Sequence, residues 1–182
     1  MTAPIVTAAT AVTTDLVSAV PPGAAGLPTP CGDWDVAALT AHLRQDVAAL
    51  DLIGHGRDIP AGHWTWPATA TTLSDDWSMP EGVVDVGGMT MPAEQAVTML
   101  VSDVVLHGWD LARALGKAVG WPAEAVRTTL DFVVATAEQG RSMGLYAPAV
   151  PVPPTAPQLD QVLGLSGRDP SWEPGDGAPG PA

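Results

Sequence analysis

A chain of 182 residues with 46% hydrophobic composition is long enough to bury one sizeable core, so one main domain is the default. Its 7 Lys plus Arg against 20 Asp plus Glu give a formal net charge of -13, which opposes partners recognised through phosphate, nucleic acid and anionic membranes alike. The lone Cys31 excludes an intrachain disulfide and a Cys-rich zinc site, and no apolar run reaches membrane-spanning length.

The opening "MTAPIVTAATAVTTDLVSAV" lacks the basic start of a signal peptide, so a cytoplasmic protein is expected. Within it Ile5, Ala8, Ala9, Val12, Leu16, Ala19 and Val20 repeat with helical spacing until Pro21-Pro22-Gly23 stops them. A loop with Pro28 and Pro30 leads to Asp35, a good N-cap. Val36, Leu39, Leu43, Val47, Leu50 and Ile53 then mark a second amphipathic helix running to about Gly54.

From Gly56 to Met91 the chain is rich in Gly, Pro, Thr and Trp and reads as a long connection, with "GVVDVGG" as a short extended piece. A third helix runs from near Pro92 to near Gly116. A fourth begins near Pro122, carries Val126, Leu130, Val133, Val134 and Ala137, and closes at Gly140 and Gly144. The pattern predicts an all-α four-helix bundle, residues 1–144, with a long crossover between helices 2 and 3. Residues 145–182 form a Pro-rich extension with one short apolar turn around Leu159, Val162 and Leu163, and its end, "WEPGDGAPGPA", is expected to be disordered.

The third helix raises a chemical question. In "SDVVLHGWDLARALG", Asp103, His107, Asp110 and Ala114 share one stripe, flanked by Met99, Leu100, Leu106 and Leu111, so the polar groups lie on the side that should be buried. An unpartnered carboxylate there costs several kcal/mol. His42 lies on the side of Leu39 and Leu43, with Asp46 one turn further along. His42 facing Asp103 and His107 would make a three-ligand metal site with an open position. Spacing alone serves a buried His–Asp hydrogen bond equally well.

Around this constellation the plainer readings prevail. Asp110 is expected to accept hydrogen bonds from Trp or backbone donors, with a place among the ligands as the lesser reading, and Asp46 is read in the same way. His55 and His63 fall in loop-like sequence, Cys31 reads as small core filling, and Arg113 and Arg141 as solvated surface residues. Trp34, Trp64, Trp66, Trp77 and Trp109 read as packing residues, some of which could wall an apolar pocket.

The segments "TPCGDWDVAALTAHL", "HGWDLARALG" and "APAVPVPPTAPQLDQVLGLSGRDPSW" together resemble an actinobacterial metal-binding family. It is related to the N-terminal domain of mycothiol-dependent maleylpyruvate isomerase, within the wider DinB-like superfamily. The resemblance implies an up-down-down-up bundle holding a divalent metal at one end of its core, with His42, Asp103 and His107 as ligands. The family's carboxylate is Glu, and here it is the shorter Asp.

The isomerase looks like a two-domain protein, and this chain is read as ending without the second domain, so maleylpyruvate is not expected to carry over. Thiol chemistry does carry over. The resemblance implies a metal-dependent mycothiol S-transferase or isomerase acting on a small electrophilic metabolite, with zinc as the first choice and nickel, iron or manganese compatible with the same ligands. The alternatives are a metal-binding or small-ligand-binding bundle without thiol chemistry, and a pathway-specific isomerase or cyclase. A homodimer is compatible with the fold.

Overall fold

Five α-helices, a single-turn 3-10 helix at His63–Thr65 and one two-stranded ribbon are the regular elements of this computed structural model, which describes residues 1–32, 34–65, 67–68 and 72–175. In chain order the α-helices and strands are α1 (Ala3–Ser18), α2 (Val36–Gly54), β1 (Val83–Val86), β2 (Met89–Pro92), α3 (Ala93–Ala114), α4 (Ala123–Ser142) and α5 (Gln158–Leu165). Trp66 and residues 176–182 of the closing segment lie outside the described residues.

Local chemistry starts and stops these elements. The Asp35 side chain caps α2, accepting a hydrogen bond from the Ala38 N–H at 2.8 Å. Pro92, Pro122 and Pro157 stand immediately before α3, α4 and α5. There the ring's fixed φ directs the chain into the helix and the missing N–H leaves no donor unmet. After α4, Gly144 adopts a φ of 73°, which lets the Leu145 N–H return to the Gly140 carbonyl at 2.8 Å.

Helix α3 is the centre of the packing, lying against α1, α2 and α4, while α5 lies on α4. Leu39, Leu43, Leu50 and Ile53 of α2 and Leu100, Val104 and Leu111 of α3 are fully buried. Each such side chain contributes about 1.5–3 kcal/mol of gross burial energy. The result is mostly helical and compatible with a helical bundle. No helix among the described residues is long and apolar enough to cross a membrane.

Two features depart from the sequence expectation. The long connection holds an antiparallel ribbon, β1 with β2, turned through Gly87 and Gly88 at φ of 65° and 98°. This ribbon stands outside a purely all-α description. The extension, expected to carry only an apolar turn, contains α5 with Val162 and Leu163 fully buried. Arg113 and Arg141, expected at the solvated surface, hold this extension in place: Arg113 donates to the Trp172 carbonyl, and Arg141 to the Leu165 carbonyl at 2.9 Å.

Candidate metal centre

The loop before α2 is closed by its own hydrogen bonds. Thr29 Oγ1 donates to the Trp34 carbonyl at 2.7 Å and accepts from the Cys31 N–H at 3.1 Å, while the Val36 N–H reaches the Leu27 carbonyl at 3.0 Å. That closure fixes Cys31 and Trp34 beside the paired faces of α2 and α3. The Trp34 indole stacks on His107, with ring centroids 5.5 Å apart, and meets His42 edge-on at 4.8 Å. The two imidazoles are themselves perpendicular, with centroids 5.0 Å apart.

One donor group forms where α2 faces α3. His42 and Asp46 are one helical turn apart, and His42 Nε2 lies 3.4 Å from Asp46 Oδ2. A nitrogen of His42 and a carboxylate oxygen from each of Asp46 and Asp103 all lie within 4.8 Å of one another. Asp46 is fully buried. Its Oδ1 accepts a long hydrogen bond from Trp64 Nε1 at 3.4 Å, whereas Oδ2 has no hydrogen-bond partner among the described residues.

A second group adjoins it. A Cys31 sulfur, a His107 nitrogen and an Asp110 oxygen also lie within 4.8 Å of one another. His107 Nδ1 is 3.2 Å from Asp110 Oδ2. Asp110 is gripped by Arg168 through Nε, at 3.0 Å from Oδ1 and 3.1 Å from Oδ2, and through Nη2 at 2.8 Å from Oδ2.

Burial and charge set the protonation of these groups. Burial, helped by the charge on His107, lowers His42 to about 3, so its imidazole is neutral and able to ligate at ordinary pH. Burial and then the neighbouring Asp103 charge push Asp46 well above the usual carboxylate range, and burial raises Asp103 as well. Burial opposes a charge on His107, but hydrogen bonds to Asp110 and Cys31 prevail and raise it to about 10. Burial disfavours the Asp110 carboxylate too, yet Arg168 and His107 hold it below its ordinary value. Tyr146 belongs to the same field: burial and the charge of Asp103 push its phenol up.

The donor set fits a divalent cation. A buried and a half-buried carboxylate face a neutral imidazole, one carboxylate oxygen is left without a hydrogen bond, and a cation would satisfy all three. Two ligand atoms on one tetrahedral zinc stand about 3.4 Å apart, the separation seen between His42 Nε2 and Asp46 Oδ2.

The structure thus brings His42 and Asp103 into one donor group and packs His107 against His42, with its Nδ1 turned to Asp110. Asp46, which the sequence placed beside His42 only by helical spacing, joins the first group. Asp110 pairs with Arg168 and His107, not with a Trp or the backbone, and Cys31 stands half-buried beside His107. Arg168 carried no local signal at all. Away from this centre, His55 is held by the Asp51 carbonyl and Asp76, and His63 by the Gln45 carbonyl at 2.7 Å.

The chain matches no family model, and no solved structure matches it. It is similar to uncharacterized proteins of Mycobacterium tuberculosis, from strains CDC 1551 / Oshkosh and ATCC 25618 / H37Rv, each 26% identical over 156 residues, covering 79% of this chain and 84% of the relative.

Proposed function

We propose that this chain is a metal-dependent enzyme of the mycothiol S-transferase or isomerase type, built on a DinB-like four-helix bundle. The observation that carries the metal half of this reading is the buried Asp46 Oδ2, without a hydrogen bond, beside His42 and Asp103. His42, Asp103 and His107 hold the ion, and Asp46 offers a fourth donor. The resemblance in the three quoted segments supports the thiol half, and the similar proteins come from an actinobacterium.

A divalent ion held by these side chains would lower the pKa of a thiol and so supply thiolate chemistry at neutral pH. The protein's own residues do the rest. His42, kept neutral by burial, offers a lone pair without first losing a proton. Trp34 lies against both imidazoles and limits water beside them, and its partial exposure gives an electrophilic metabolite an apolar wall. No separate general base is needed.

A second reading is favoured by the raised pKa of Asp46. With that carboxyl protonated, His42, Asp46 and Asp103 form a buried hydrogen-bond cluster, and the chain is a binding module without turnover. Elemental analysis of the untagged protein decides between the two. About one equivalent of zinc, lost in both His42→Ala and Asp103→Ala, is the outcome expected of the enzyme. A metal-free wild type, or full thiol transfer after the metal is stripped, selects against it.

A further inference from the structure

Arg168 follows α5 and lies 58 residues from Asp110 in sequence, yet its guanidinium is 8% exposed and closes on a fully buried carboxylate. A buried ion pair carries a desolvation cost that makes it a poor device merely for docking a helix. Docking is already served by Arg113 and Arg141, which hold the backbone of the same extension. The pair therefore calls for another use, and its geometry shows one.

Both Asp110 oxygens are engaged by Arg168, and Oδ2 also faces His107 Nδ1 at 3.2 Å. Arg168 Nη2 stands 3.3 Å from the same Nδ1. Nδ1 thus faces a donor, Arg168 Nη2, and a nearer acceptor, Asp110 Oδ2, toward whose lone pairs a lone pair on Nδ1 would point. With a proton on Nδ1 the ring donates to Asp110, and Nε2 is the nitrogen left to ligate. Holding Asp110 still is what the guanidinium fork does well.

We propose that Arg168 is a positioning residue of the metal centre: it clamps Asp110, which orients His107 through Nδ1–H and leaves Nε2 as the ring's donor to the metal. The inference rests on the metal reading above. It assigns the C-terminal extension a part in the site, since the chain after α5 supplies the outermost member of the Arg168–Asp110–His107 relay.

The test compares wild type, Arg168→Met and Arg168→Lys by zinc affinity, by the visible spectrum of the cobalt-substituted protein, and by melting of the metal-free protein. Arg168→Met is expected to bind zinc about 10- to 100-fold more weakly and to shift the cobalt spectrum at saturation. Arg168→Lys, which keeps a cation beside Asp110, is expected to restore most of both. Zinc affinity within about twofold of wild type in Arg168→Met overturns the proposal on the same scale. So does a weaker affinity with a wild-type cobalt spectrum, because a purely structural ion pair weakens the fold without re-aiming a ligand. If Arg168→Met does not fold, a wild-type cobalt spectrum and affinity in Asp110→Asn overturn it equally. Failure of the wild type to take up either metal removes the metal reading itself, and this inference with it.

Discussion

At the scale of single residues, two imidazoles 5.0 Å apart are driven in opposite directions, His42 down to about 3 and His107 up to about 10. In the metal-free protein, His107 contributes stability that is present below its ordinary 6.5 and is lost as pH rises toward about 10. The raised Asp46 and Asp103 act in the same sense, losing their contribution as pH rises. His42 does the reverse: its contribution is present above 6.5 and is lost as pH falls toward about 3. On the acid side these effects oppose one another, so the alkaline side is the clear one.

Urea unfolding of chelator-treated protein should therefore show a lower midpoint at pH 9.5 than at pH 7. At about 1.4 kcal/mol per pKa unit the loss amounts to a few kcal/mol. His107→Gln should remove most of that dependence, and zinc should flatten it, since a coordinated His107 is neutral throughout. A midpoint that does not move with pH in the stripped wild type would contradict this account of His107.

At the scale of elements, the contact that fixes α5 is a close approach. A Cβ on Gly164 would fall 2.5 Å from Val152 Cγ2 and 2.6 Å from the Val150 carbonyl oxygen, whose own N–H bonds back to Gly164 at 2.9 Å. The backbone oxygen cannot give way cheaply. Gly164→Ala should cost about 1–3 kcal/mol by overpacking, read as a lower melting temperature. Because Arg168 follows directly, the variant should also lose zinc affinity. An unchanged melting temperature would show that α5 docks more loosely than this contact requires.

The same helix shows what was legible in the sequence. The first four helices announce themselves through long apolar periods bounded by Pro or an Asp cap, as in Leu39, Leu43, Leu50 and Ile53 after Asp35. Helix α5 spans 8 residues within a Pro-rich run, too short for a period to rise above its neighbours. Strand β2, Met89–Pro92, lies mostly exposed without alternation and merges into α3. At the site, helical spacing linked His42 to Asp46 and Asp103 to His107. The pairing of Arg168 with Asp110 depends on where the extension returns, and no local pattern encodes that.

At the scale of the molecule, a chain with a net charge of -13 takes two of its acidic side chains, Asp46 and Asp110, fully inside. Arg168 neutralises Asp110; the first donor group is left with two carboxylates and a neutral His42. A divalent ion binding there binds only the folded chain, so it must raise stability by mass action. Free zinc at 100 times its Kd should add about 2.7 kcal/mol, or about 5–10 °C for a chain of this size. Asp46→Asn should flatten the response, because the substitution removes a charge from the very group the ion would satisfy. A chain ended at residue 144 should lose it for a different reason: Val162, Leu163, Arg168 and Trp172 are buried parts of the whole, and Asp110 would be left without its cation. The two variants separate the causes. Asp46→Asn should melt at or above the metal-free wild type, since burial and Asp103 already disfavour a charge at that position, whereas the shortened chain should melt well below it. A zinc response that survives Asp46→Asn in full would place the ion elsewhere in the molecule.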